Sequence, residues 1–152
     1  MANTLVQMYV HIVFHVKKSS IRILENDLPR LFEYMGGIIR RHHGIPIQIG
    51  GIPNHIHILS TLPKNMTLSD LVKCIKVGSH KWMESNNKEY YAHFTWQDGY
   101  GAFSVSPSGV DAVTQYIQNQ KAHHRNISFI EEYKLFLDNA GIEYDERYAF
   151  DD

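Results

Sequence analysis

"IPIQIGGIPNHIHILSTL", residues 45–62, holds two apolar runs separated by turn-forming residues. The runs 45–52 and 55–62 read as a hairpin or a closely joined strand pair, with Gly50-Gly51 and Pro53-Asn54 supplying the turn chemistry. Side chains alternate along a strand, so His55 and His57 point one way while Ile56 and Ile58 point the other. Two imidazoles on one face, roughly 5–7 Å apart, can share one divalent cation. The same pair also suits a wet sheet face, with the rings donating to backbone groups. Spacing alone leaves both readings open.

The flanking segments set the layout. "LVQMYVHIVFHV", residues 5–16, is β-branched, aromatic and alternating, which predicts a strand. In "ENDLPRLFEYMGGIIRRHHG", residues 25–44, Asn26 or Asp27 can cap a helix and Pro29 sits in its first turn. An apolar stripe from Leu28 to Ile39 follows, and Arg40, Arg41, His42, His43 and Gly44 signal its end. Thr67 with Asp70 opens a second helix, whose stripe of Leu68, Leu71, Val72, Ile75, Ser79 and Trp82 leaves Lys73, Lys76 and Lys81 largely outside. A short strand near Tyr100–Val105 precedes a helix over 110–124 with Ser108 and Asp111 as its cap. Ser128 with Glu131 caps a last helix, which Gly141 ends.

The order β-α-β-β-α-β-α-α predicts an α+β fold. Its natural form is a ferredoxin-like, antiparallel four-stranded sheet with helices mainly on one face, plus C-terminal helices. The 152 residues are expected to form one domain, with an acidic helix and tail from about 128. No run of ~20 apolar residues is present to span a bilayer, and the lone Cys74 fits a reducing cytoplasm. Net charge is only −1, but the segment from Glu131 to Asp152 carries −6 and residues 1–130 carry +5. A mildly basic body with an acidic tail can still meet phosphates.

A second set of polar residues lies in "YIQNQKAHH", Tyr116–His124. At ~100° per residue, Tyr116 and Gln120 lie one turn apart on the same side of a helix, beside the stripe of Val110, Val113 and Ile117. They suit an interfacial packing role as well as a chemical one, with His123 or His124 on the same seam. The roles of His11 and His15 stay open.

In combination, these segments resemble the HUH single-tyrosine transposases of bacterial insertion sequences that move as single-stranded DNA. "PNHIHIL" resembles their histidine, bulky apolar, histidine motif. The likeness continues through "WQDGYGAFSVS", Trp96–Ser106, and "YIQNQKAHH" to "EYDERY", Glu143–Tyr148, with "HIVFHVKK", His11–Lys18, a looser match. The resemblance implies that His55, His57 and Gln120 are metal ligands and that Tyr116 is the nucleophile. It further implies Mg²⁺ or Mn²⁺ as cofactor and hairpins at the element ends as the DNA partner. It also implies a homodimer whose active sites can be shared between chains.

Such a protein would cut and rejoin single-stranded DNA through a 5′-phosphotyrosine. A phenol is a moderate nucleophile and a better leaving group than a sugar alkoxide, so the exchange is reversible. Two neutral imidazoles and an amide oxygen leave the cation its full charge for the phosphate. Lys17, Lys18, Arg40, Arg41, Lys73, Lys76, Lys81 and Lys121 are the basic residues offered to DNA. Trp96, Tyr100 and Phe103 suit base stacking or core packing. The alternatives are a non-catalytic hairpin-binding regulator on the same fold, and a metal-dependent hydrolase that uses water.

Overall fold

The hairpin of residues 46–61 lies at one side of a sheet whose middle is the N-terminal strand. In a computed structural model that describes residues 3–150, the elements run β1 (Tyr9–His15), α1 (Leu28–Arg41), β2 (Pro46–Ile52), β3 (His55–Thr61), α2 (Leu68–Asn86) and α3 (Lys88–Tyr91). They continue with β4 (Gly101–Val105), α4 (Val110–Gln118), α5 (Gln120–His123), α6 (Phe129–Asn139) and α7 (Glu146–Ala149). Asp151 and Asp152 of the acidic tail lie outside the described residues. The sheet order is β2-β3-β1-β4, with every neighbouring pair antiparallel, so the ferredoxin-like α+β layout holds.

Alternation along β1 and β3 makes two different faces. Ile12, Phe14, Ile56 and Ile58 pack fully buried against Leu31, Met35, Ile39, Leu71 and Ile75 of α1 and α2. Each contributes about 1.5–3 kcal/mol by leaving water. The other face carries His11, Val13, His15, His55, His57 and Leu59, paired across the strands as His15 with His55 and Val13 with His57. The C-terminal helices cover it, and Val13 joins Phe129, Tyr133, Leu137 and Phe150 in a second apolar cluster. Among the described residues, no helix is long and apolar enough to cross a membrane.

Several local expectations need correction. β1 starts at Tyr9 rather than at Leu5, because the ladders with β3 and β4 end at the pairs of Tyr9 with Thr61 and with Val105. Asp27 precedes α1 without capping it; its carboxylate accepts from Tyr91 Oη at 2.6 Å, Arg30 at 3.2 Å and Asn86 at 3.3 Å. His43, not Gly44, takes the left-handed conformation after α1, at φ 69°. Gly44 is needed for space instead, since a Cβ there would lie 2.7 Å from Ile39 Cγ2. Ser108 caps nothing: a short 3-10 turn over Pro107–Gly109 leads into α4. The single helix expected over 110–124 is broken at Asn119 into α4 and α5. The caps at Thr67 and Ser128 are as expected, the second as a full capping box.

Gly50 and Gly51 lie inside β2, so Pro53-Asn54 alone forms the turn. Gly50 sits opposite His57, and a Cβ on it would lie 2.7 Å from the Ile117 carbonyl oxygen. The missing side chain lets the α4 backbone rest on the sheet directly beside His57. Gly50→Ala is therefore expected to cost about 1–3 kcal/mol, as overpacking does. A urea denaturation midpoint unchanged from wild type would contradict this close-approach role.

Candidate active site

β3, α4, α5 and α6 deliver one polar cluster onto the histidine face of the sheet. His55 and His57 are fully buried, as are Gln120 and Glu132 to within a few per cent, while Tyr116 is half-buried. Glu132 lies at the centre. Its Oε1 is 2.8 Å from His57 Nε2 and 3.3 Å from His55 Nε2. Its Oε2 accepts from Tyr116 Oη and, at 3.0 Å, from Gln120 Nε2. Gln120 Oε1 lies 2.9 Å from His55 Nε2 and 3.0 Å from His124 Nε2. The four residues singled out in the sequence thus meet within one chain, despite the helix break between Tyr116 and Gln120.

The outer ring nitrogens fix the state of the inner ones. With Asn54 presenting Oδ1 at 2.7 Å, the proton of His55 belongs on Nδ1 and the lone pair on Nε2. His57 Nδ1 lies 2.8 Å from His11 Nε2, and donation there frees His57 Nε2 in the same way. Both Nε2 atoms then face only acceptor oxygens of Gln120 and Glu132. Acceptors this close repel unless a proton or a cation lies between them. Protonation is opposed: burial is the main cause lowering His55 to about 4, and it also holds His57 below its ordinary value. A divalent cation satisfies all these atoms together, so the residues fit a metal. Donor atoms of His55, His57, His124 and Glu132 lie within 4.8 Å of one another, and this cluster can hold such an ion.

Burial raises the Tyr116 pKa above the ordinary phenol range, and the Glu132 hydrogen bond and charge add to the effect. Burial pushes Glu132 upward, but its contacts with His55 and His57 outweigh it and hold the carboxylate below its usual range. In this arrangement the phenol keeps its proton and the carboxylate is charged.

α6 closes the site. Phe129 stacks on His55 with centroids 4.3 Å apart, and Phe136 meets His11 at 5.0 Å and Tyr116 at 5.6 Å. Trp96 belongs to the opposite core, leaving Tyr100 exposed.

The eight basic residues do not gather around this centre. Lys17 and Lys18 line a cavity of about 210 Å³ that reaches Asn54 and Phe129 at its edge. Arg41, Lys73 and Lys81 line a groove between α1 and α2, and Arg40 borders β2. Lys121 pairs with Glu25 at 2.8 Å. Lys76 turns inward and donates to the carbonyls of Gln97 and Gly99, both at 2.7 Å. Burial lowers its pKa to about 8.

His11 and Glu132 were not assigned to the site from sequence. Glu132 did leave a signal: it falls between Phe129 and Phe136 at helical spacing, a charge inside an apolar stripe.

Residues 4–120 match the family model described as "Transposase IS200 like". Among solved structures, the fold resembles a candidate transposase from Deinococcus radiodurans R1, with TM-score 0.61 and 18% identity over 79% of this chain and 95% of that one. It also resembles a REP-associated tyrosine transposase bound to a REP hairpin, with TM-score 0.56 and 14% identity over 82% of this chain and 73% of that one. No curated protein matches the chain significantly.

For metal-free protein, stability is expected to fall as the pH drops below about 6.5. His11 and His55 titrate at 6.5 when unfolded but at about 3 and about 4 when folded, both mainly through burial. Between those values the unfolded chain holds more protons, so acid favours unfolding by up to about 1.4 kcal/mol per group and pH unit. Glu132, lowered from 4.5, adds a loss of the same sign at lower pH. Urea midpoints in a chelator that stay level from pH 7 to pH 4 would contradict these buried neutral imidazoles.

Proposed function

Because the chain belongs to the IS200-like transposase family, whose enzymes cut and rejoin DNA, we propose that it acts on single-stranded DNA by tyrosine transesterification. One observation carries this reading. Tyr116 and Gln120 donate to the same carboxylate, and His57 Nε2 lies 2.8 Å from it, so the nucleophile and the ligand set enclose a place suited to a single oxyanion. A scissile phosphate has the matching charge and acceptor atoms.

His55, His57 and Gln120 hold Mg²⁺ or Mn²⁺ in this reading. When bound, the ion supplies Lewis-acid polarisation and orients the phosphate. The phosphate takes over the Tyr116 and Gln120 contacts that Glu132 Oε2 makes here, which removes one cause of the raised phenol pKa. Tyr116 Oη then forms a bond to phosphorus while the bond to the 3′ oxygen breaks. The phenol gives up its proton, and the departing oxygen takes one up to leave as a 3′-OH. The product is a 5′-phosphotyrosine, and attack by a 3′-OH reverses the step. His11 and Asn54 keep the two rings oriented, as partners of metal-binding histidines do.

The fully buried histidines require α6 to shift before DNA reaches them. Hairpin DNA is the partner, supported by the fold neighbour that is bound to a REP hairpin. Lys17 and Lys18 are the basic residues placed to guide a strand toward the site, whereas Lys76 is taken up by the backbone of the loop before β4. One nucleophile per chain and two ends to cut call for a homodimer. Each Tyr116 then serves the histidines of its own chain, its ring 5.8 Å from that of His57.

The test uses labelled single-stranded hairpin DNA with Mg²⁺ or Mn²⁺. Wild type is expected to give an adduct that survives denaturation, and Tyr116→Phe none. His55→Ala with His57→Ala is expected to lose cleavage and adduct alike. An adduct formed by Tyr116→Phe would remove the nucleophile assignment. Cleavage without any adduct would point to water as the nucleophile.

A further inference from the structure

The family match ends at Gln120, yet the densest contacts of the site are made by Glu132, twelve residues further on. We propose that Glu132, on α6, is a further protein ligand of the divalent cation, joining His55, His57 and Gln120 to make a carboxylate-bearing centre that favours transition-metal ions. The proposal rests on the metal-binding role given above to the two histidines.

Donor spacing is the first argument. Ligands bound at about 2.0–2.2 Å and at right angles stand roughly 3 Å apart. Glu132 Oε1 is 2.8 Å from His57 Nε2 and 3.3 Å from His55 Nε2. Gln120 Oε1 is 2.9 Å from His55 Nε2. The carboxylate oxygen therefore keeps the spacing of a neighbouring ligand to both imidazoles, as the amide oxygen does to His55.

Charge is the second. Glu132 is 2% exposed, and every ion pair it makes among the described residues is to a histidine. Nearby lysines and arginines do not reach it. Neutral imidazoles supply no net positive charge to a buried carboxylate, and a divalent ion does. The two carboxylate oxygens also divide the work: Oε1 faces the Nε2 atoms of His55 and His57, while Oε2 receives Tyr116 and Gln120.

Placement is the third. The capping box of Ser128 and Glu131 fixes the start of α6, and Phe129 stacked on His55 fixes its rotation. Those two anchors direct the next acidic side chain inward. The two imidazoles tilt the donor set away from Mg²⁺, which takes mainly oxygen ligands, and the carboxylate added to them suits Mn²⁺.

Titration of the full-length protein with Mn²⁺, followed by the loss of the free-ion electron paramagnetic resonance signal, tests the assignment. Wild type is expected to bind one ion, and Glu132→Gln to bind it at least about tenfold more weakly. Glu132→Asp, which keeps the charge on a shorter arm, should fall between them. Melting adds a readout that a purely structural hydrogen-bonding role would not move. With Mn²⁺, the gain in Tm of Glu132→Gln over its own metal-free value should be smaller than the wild-type gain. Equal Mn²⁺ affinity in wild type, Glu132→Gln and Glu132→Asp would overturn the assignment while leaving the histidine site intact. Equal lowering of the Glu132→Gln melting point with and without metal would overturn it as well. Wild type that binds no Mn²⁺ would overturn both this ligand and the metal role of His55 and His57.

Discussion

β3 is hydrogen-bonded along both edges and covered on both faces, and the rest of the site follows from that confinement. A strand in this position cannot send a polar side chain to water. Ile56 and Ile58 face α1 and α2, so His55 and His57 must find their partners under the C-terminal helices. Every ring nitrogen of the pair has a polar neighbour: Asn54 and His11 on the outer side, Gln120 and Glu132 on the inner. Burial of imidazole demands polar neighbours of this kind.

The same confinement concentrates charge. Inside the cluster, one carboxylate and two imidazole lone pairs converge, and among the described residues every ion pair of that carboxylate is to a histidine. A medium of low dielectric magnifies that imbalance, and a divalent ion corrects it. The site is thus chemically poised but sterically shut, because the helix that supplies Glu132 also lays Phe129 and Phe136 over the rings. In the proposed reaction the phosphate and the carboxylate compete for Tyr116 and Gln120, which would couple DNA binding to movement of α6.

Much of this was legible along the chain. The strand–helix order predicted the sheet, since each element carries the period of its own kind, and the caps at Thr67 and Ser128 depend only on residues three apart. The histidine pair was visible because alternation is a local rule. Glycine roles were harder to read. Gly50 has the composition of a turn residue, yet it lies in a strand and serves by having no side chain where α4 rests. Likewise His43 takes the left-handed turn expected of Gly44, while Gly44 leaves room for Ile39. Basic residues were the least informative. Sequence shows that Lys76 is charged, but not that the loop before β4 turns two carbonyls toward it.

What the sequence by itself determined is what short-range rules govern: the elements, their amphipathic faces, and which side of β3 carries imidazole. It also carried the family likeness, in motifs spread over most of the chain. Tertiary structure alone decided which helices meet that face. Residues 75 positions apart, His57 and Glu132, become neighbours only when α6 folds back over the sheet. Local sequence encodes the direction of a side chain relative to its own backbone. The distance between two such side chains depends on the packing of whole elements, and that packing brings a carboxylate into the histidine site.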